Sequence, residues 1–361
     1  MTVSGMDVMG GSAQRTVAVF GLGGTIAMAG SAHGGVTPSL SAHDLVAAVP
    51  GLADTGIAVD VVDFRRLPSA SLDFATLDEL SAAIDERLDR GATGVVVVQG
   101  TDTIEETAYL LDLRHRRDAP LIVTGAMRNP TMAGADGPAN LLAAVVTAAD
   151  PRARNRGVLV VFNDEIHTAH QVRKTHTTAL DTFRSPDAGP AGWVVEGRVR
   201  FVGPPPPRLT VPAPASGTYP RVGVYPVVLD DDPAVLAAMI AAVDGLVVAA
   251  MGAGHVPAAL VEPLTKAAAR MPVILTSRTG AGSVLRDTYG FAGSERDLIA
   301  HGLDPAGRLD PLKARVLLRC LLAAQASRDQ IRTAFAVAGG YRDADDWPWP
   351  IDDRSAAPGP D

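Results

Sequence analysis

With 361 residues, 47% of them hydrophobic and 20% charged, the chain has the length for two domains and the apolar content for sizeable cores. A net charge of −8 and a pI near 5.5 argue against a nucleic-acid surface and for a small-molecule role. No apolar stretch approaches the length of a membrane span, and a single cysteine, Cys320, excludes an intrachain disulfide. Cys320 sits in an apolar helical run and reads as an inert core thiol. Residues 1–15 are polar and rich in Gly and Ser, without a charged start and apolar core. They read as a flexible N-terminus, and the cytoplasm is the expected compartment. Only three of the 32 Lys+Arg are lysine, namely Lys174, Lys266 and Lys313. In a chain that writes Arg nearly everywhere, a lysine at a chemically meaningful place is informative.

Residues 17–20 read as a buried strand, and Gly21, Gly23 and Gly24 let the backbone turn sharply at its end. Thr25 follows. Ligands of open α/β sheets bind at the carboxyl ends of strands, which leaves Thr25 three readings. It caps the next element, it belongs to a dinucleotide fingerprint that Gly21 and Gly23 fit and Ile26 spoils, or it is a nucleophile. Residues 28–35 lack periodicity and read as a loop, a candidate lid over the site. Ser41 with Asp44 opens a short helix that ends at Pro50. Residues 58–64 form a strand, Asp73 caps a helix that stops at Gly91, and residues 94–99 form a third strand. A helix over 103–113, a strand over 121–124, a helix over 137–149 and a strand over 157–162 complete the alternation. Strands alternating with helices predict a mainly parallel sheet covered on both faces.

The apolar runs on either side of Glu196-Gly197 suggest a hairpin over 193–201. Residues 203–220 are Pro-rich, a stiff linker and the expected domain boundary. Beyond it, strands over 221–224, 245–250 and 272–276 alternate with helices over 233–243, 257–270 and 311–326. The chain therefore divides into an N-terminal α/β domain over 16–202, the linker, a smaller α/β domain over 221–340 and a surface tail over 341–361.

Two further polar clusters stand at strand ends. Gly100-Thr101-Asp102-Thr103 follows the third strand as Thr25 follows the first. Thr103 and Glu106 fit a capping box, which leaves Thr101 and Asp102 without a structural duty. Lys174 lies in the loop after the fifth strand, within Arg173-Lys174-Thr175-His176-Thr177-Thr178. A loop lysine is ordinarily a solvated charge. Yet a desolvated Lys can lose its proton near neutral pH where Arg cannot, and a Thr hydroxyl needs a base to become a nucleophile. Together the three clusters describe a threonine hydrolase.

The motifs that carry these residues resemble the bacterial L-asparaginase/glutaminase family from Val17 to about Phe335. They are Gly23-Gly24-Thr25-Ile26-Ala27, Gly100-Thr101-Asp102-Thr103-Ile104-Glu105-Glu106-Thr107-Ala108, Gly125-Ala126-Met127-Arg128, Ala135-Asp136-Gly137-Pro138-Ala139-Asn140-Leu141, Asn155-Arg156-Gly157-Val158 and Lys174-Thr175-His176-Thr177-Thr178. The resemblance implies two three-layer α/β domains with mainly parallel sheets, the larger one N-terminal. It also implies a homotetramer, a dimer of intimate dimers, with active sites between subunits. It makes Thr25 the nucleophile toward a side-chain amide, with Thr101, Asp102 and Lys174 as the second catalytic cluster. Asp102 would hold the substrate's α-amino group and Ser69 its α-carboxylate, and Thr101 and Ala126 would offer backbone N–H groups as an oxyanion hole. Gly100 lines the same turn. The reaction implied is asparagine to aspartate and ammonia, with no metal and no cofactor.

Several positions depart from the family's pattern. The lid tyrosine is absent, with Gly35 or Val36 in its place and Thr37 and His33 as substitutes to orient Thr25. Ala70 stands where many members carry Gln. His255 stands where they bring an Asn from the neighbouring subunit, and no Glu is evident within 279–287. Residues 294–308 are an insertion. The alternatives left open are glutamine, D-asparagine or another small amide as main substrate, a catalytically silent amino-acid-binding protein, and, far behind, a nucleotide-dependent oxidoreductase.

Overall fold

Alternating valines and other small apolar residues build the large sheet. A computed structural model describes residues 15–24, 26, 28–30, 36–38, 41–214 and 217–350. Strand β1 (Thr16–Gly21) is followed by the short strands β2 (Met28–Gly30) and β3 (Val36–Pro38), helix α1 (Ala42–Ala47) and strand β4 (Ala58–Asp63). Helix α2 (Phe74–Asp89), strand β5 (Gly94–Val98), helix α3 (Ile104–Arg114), strand β6 (Leu121–Thr124), helix α4 (Gly137–Ala148) and strand β7 (Val158–Phe162) continue the alternation. Strands β8 (Glu165–Thr168), β9 (Arg173–Lys174), β10 (Phe183–Arg184), β11 (Gly192–Val195) and β12 (Arg198–Phe201) complete the larger domain.

The sheet runs β12-β11-β8-β7-β6-β5-β1-β4. Strands β4, β1, β5, β6 and β7 are parallel, and β8, β11 and β12 extend the sheet antiparallel. Every residue of β5 is buried, as a parallel strand covered on both faces requires. Its side chains divide by period two: Val95 and Val97 face the layer of α2 and α3, Val96 and Val98 the layer of α4.

The second domain carries β13 (Val222–Pro226), α5 (Pro233–Ala242), β14 (Gly245–Ala250), α6 (Val261–Ala268), β15 (Val273–Ser277), α7 (Glu295–Ala300), β16 (Asp304–Pro305), α8 (Pro311–Ala323) and α9 (Arg328–Ala338). Its four strands are parallel in the order β13-β14-β15-β16. One apolar core is continuous from the large sheet through α3 to α8, α9 and the inner face of the small sheet. The fold is thus two α/β layers sets, the larger one N-terminal, joined helix to helix.

The structure departs from the sequence reading at several places. The short ribbon β2–β3 occupies part of the stretch read as a loop, and residues 31–35 lie outside the described residues, as do residues 1–14. Strands β8 to β10 and helices α7 and α9 appear where the sequence pattern predicts no element. The Pro-rich stretch is an extended strap docked on α3: Arg114 donates to the carbonyls of Val211 (3.0 Å) and Pro212 (2.6 Å), and Val211 N–H to Leu113 O (2.8 Å). The tail read as surface is anchored by Trp347, which is buried and donates through Nε1 to Thr210 O at 2.8 Å. A large apolar ring with one donor finds both its needs at the strap.

His115 and His167 are buried and held neutral, burial taking each from 6.5 down to about 4, with neighbouring arginines (Arg208 and Arg117, and Arg184, respectively) adding to the shift. The unfolded chain therefore binds more protons between those two values, and stability present above pH 6.5 is lost as pH falls toward 4. Full protonation removes about 3 kcal/mol per ring on this account. Urea unfolding is expected to show a lower midpoint at pH 4.5 than at pH 7.5, with His115→Gln reducing the difference. An equal midpoint at both pH values would show that neither ring is held neutral by the fold.

Candidate active site

The strand order decides where a site can form. From β1 the chain passes to β4 on one side and then to β5 on the other, so the connections diverge between β1 and β5 and open a crevice at their carboxyl ends. The two strand ends approach to backbone contact there. A Cβ on Gly24, whose φ is +93°, would lie 2.1 Å from Gly100 N, and one on Gly100 would lie 2.6 Å from Ser69 Oγ. Only glycines permit this approach. Thr25, the next residue in the chain, lies outside the described residues.

Past Gly100, Thr101–Thr103 forms one turn of 3-10 helix leading into α3. The sequence pattern predicts a capping box here, and it does not form. Thr103 makes no side-chain cap; its hydroxyl donates instead to Ser69 O (3.2 Å) and accepts from Gln99 Nε2 (3.2 Å). Tertiary partners have outcompeted the local one. Thr103 thereby ties the turn Ser69–Ser71 to the end of β5, and Ser69 Oγ accepts the Asp102 N–H at 3.3 Å. With its acceptor engaged, the buried Ser69 hydroxyl has its proton to offer to an anion.

Lys174 comes from β9. Its Nζ donates to Thr101 Oγ1 at 2.9 Å and to Asp102 Oδ1 at 2.8 Å. The Thr101 hydroxyl is buried, the Lys174 side chain is 16% exposed, and the Asp102 side chain is 69% exposed. A hydroxyl, an amine and a carboxylate therefore share one edge of the crevice, dry on the threonine side and open to water on the aspartate side.

The loop after β6 packs beside the end of β5. Gly125 passes close to Gln99 O, and Ala126 is buried beside it. Asp136 accepts the N–H groups of Met127 (3.0 Å) and Arg128 (2.8 Å), while Asn140 donates to Gly125 O (3.0 Å) and accepts from Asn163 N–H (2.9 Å). The sequence shows Asp136 and Asn140 as motif residues without a duty; the structure gives them the task of fixing this loop.

Residues 16–207 match the family described as asparaginase, N-terminal, and residues 221–335 match the glutaminase/asparaginase C-terminal domain. The chain belongs to the asparaginase family. A probable L-asparaginase of Deinococcus radiodurans is 38% identical over 335 residues, covering 88% of this chain and 96% of that protein. A probable periplasmic L-asparaginase of Haemophilus influenzae is 34% identical over 329 residues, covering 88% and 91%. Among solved structures, a probable cytoplasmic L-asparaginase from Campylobacter jejuni aligns with a TM-score of 0.80 at 31% identity, covering 89% of this chain and 99% of that one.

Of the residues singled out on the asparaginase motifs, Ser69, Gly100, Thr101, Asp102 and Lys174 come together at the crevice. Ala70 is exposed on the neighbouring turn and brings no polar group. His255 stands apart in the smaller domain. Its ring packs edge-on against Tyr289 and Phe291, and Nε2 faces the buried Glu295 Oε2 at 3.2 Å. That glutamate belongs to the insertion over 294–308, outside 279–287. Among the described residues no cluster of His, Cys, Asp or Glu could hold a metal ion, and no helix is long and apolar enough to cross a membrane.

The backbone approach at the crevice sets a mutational test. Gly24→Ala introduces both a disfavoured φ and a Cβ inside the Gly100 backbone, and the expected loss is roughly 3 kcal/mol or more of unfolding free energy. A wild-type urea midpoint in this variant would overturn the close packing of the two strand ends.

Proposed function

We propose that this chain hydrolyses the side-chain amide of L-asparagine to L-aspartate and ammonia through an acyl-enzyme on Thr25. The observation that carries the reading is the bridge from Lys174 to Thr101 and Asp102 at the strand switch point, in a chain of the asparaginase family. In the first half-reaction the Thr25 hydroxyl oxygen bonds to the amide carbon, its proton passes to the nitrogen, and ammonia leaves. In the second, water attacks the ester, gives up a proton through Thr101 and Lys174, and the C–O bond to Thr25 breaks with the proton returned to that oxygen. The backbone N–H groups of Thr101 and Ala126 face the developing oxyanion, a contribution of about 3 kcal/mol per donor in comparable sites.

Asp102 takes the substrate's α-ammonium and Ser69 its α-carboxylate, with Gly100 and Ala70 lining that end. Ala70 leaves this end without a side-chain amide, which favours a weaker grip on the substrate backbone over a change of chemistry. The working assembly on this reading is a homotetramer, and the compartment is the cytoplasm. The Campylobacter protein is described as cytoplasmic and the Haemophilus protein as periplasmic, so fractionation of the native cells decides the second point and sedimentation the first.

The decisive experiment is ammonia release from L-asparagine, L-glutamine and D-asparagine by the wild type, Thr25→Ala and Lys174→Arg. Asparagine is expected to be the best substrate. Thr25→Ala should lose at least about 10³-fold in kcat while keeping its fold, and Lys174→Arg about 10²-fold despite the conserved charge. No ammonia from the wild type, together with a melting temperature raised by asparagine, would replace the enzyme with a binding protein. Wild-type rates in Thr25→Ala would remove the nucleophile.

A further inference from the structure

Lys313, one of the chain's three lysines, is wholly buried on the first turn of α8 in the smaller domain. Its ammonium donates to Asp310 Oδ2 at 2.8 Å and to the backbone carbonyl of Val172, and lies 3.9 Å from Glu105 Oε2. Glu105 Oε2 in turn accepts the backbone N–H of Lys174 at 3.3 Å. Residues two apart on an extended chain turn their backbone groups to the same edge. Val172 C=O and Lys174 N–H therefore emerge side by side, and the Lys313–Glu105 pair meets them where a neighbouring strand would otherwise lie. The opposite edge is spent on β10, with Thr175 N–H donating to Thr182 O at 2.8 Å.

The two-residue strand that presents Lys174 has little hold of its own. Between Val172 and Lys174, Arg173 sends its guanidinium to Gly280 O, again in the smaller domain. Asp310 completes the arrangement: Oδ1 caps α8 through Leu312 N–H (2.9 Å) and Lys313 N–H (3.1 Å), which fixes the root of the Lys313 side chain. A compact ammonium suits two hydrogen-bond acceptors and a nearby carboxylate in a dry pocket, where a planar guanidinium would not fit them.

We propose that Lys313, acting with Glu105, is a positioning residue that holds the backbone of β9 so that Lys174 reaches Thr101. This rests on the role given to Lys174 above. Its effect is carried wholly by the placement of Lys174, so it belongs in kcat and disappears when Lys174 is absent.

The test is a double-mutant cycle in the full-length protein. Lys313→Met is expected to lower kcat about 10- to 100-fold with KM within about threefold, and to cause no further fall on a Lys174→Ala background. Glu105→Ala releases the same strand edge from the other side and is expected to give the same pattern at about tenfold, which keeps the proposal testable should Lys313→Met fail to fold. Hydrogen exchange at the Lys174 amide supplies a readout independent of turnover and should quicken in either variant. Equal falls in kcat with and without Lys174, or a folded variant with unchanged kcat and unchanged exchange, would overturn the positioning role. A wild type that releases no ammonia, with exchange at Lys174 still quickened by the substitutions, would instead overturn the hydrolase reading and leave the clamp standing.

Discussion

The contact of two backbones, Gly24 against Gly100, is the constraint on which the rest of the site depends. Strands β1 and β5 are neighbours with a register fixed along their length, and Leu22 N–H continues the ladder to Val98 O at 2.9 Å. Without side chains at the two glycines the strand ends close to a distance that any Cβ would forbid. That closure puts Ser69 Oγ against Gly100 and sets the turn that carries Thr101 and Asp102. Only after these turns are placed does a lysine arriving from β9 find a hydroxyl and a carboxylate within 3 Å.

The charges around this edge divide by burial. Lys174 and Asp102 meet near water, where an ion pair contributes on the order of 1 kcal/mol or less. Lys313, Asp310 and Glu105 meet in the dry seam between α3 and α8. Burial raises the Glu105 carboxyl above its usual range, the Lys313 charge opposes that, and the Asp310 charge adds to it. A buried cluster of this kind is a poor source of stability relative to an apolar packing of the same volume. What it supplies is acceptors and donors at fixed points, and those points are the backbone groups on either side of Arg173. The third lysine marks the contrast: Lys266 forms an exposed pair with Glu262 one helical turn away.

Most of the parallel framework was legible in the sequence because its determinants are local. Apolar runs ending in glycine marked β1 and β5, and Ser41 and Asp73 cap α1 and α2 through the hydrogen bonds their side chains suggest. The rarity of lysine pointed to Lys174. It applied equally to Lys313, which went unread because a lysine in a helix carries no sign of what packs against it. The misses share that cause. Thr103 has the right neighbour for a capping box and gives its hydroxyl to Ser69 O, thirty-four positions away. Strand β8 is too short for its alternation to register and exists because β7 and β11 flank it. Trp347 stands in a Pro- and Asp-rich tail and is buried because the strap at Thr210 offers it a carbonyl.

The weakness of the Lys174–Asp102 pair bears on the order of events in the proposed reaction. Asp102 is the most exposed member of the cluster, and its carboxylate has two oxygens, of which Lys174 engages one. A substrate ammonium arriving from water meets the free oxygen first and competes for the shared charge at small cost, because the existing pair is screened. Thr101, by contrast, is buried and keeps its contact with Lys174. As Asp102 turns toward the substrate on the proposed reading, Lys174 keeps Thr101 as its partner. The substrate's α-amino group is then what draws Asp102 from Lys174, and an amide lacking that group would leave the pair as it stands. On this reading the exposure of Asp102 and the burial of Thr101 are two halves of one device, selecting for the amino-acid backbone before any bond is broken.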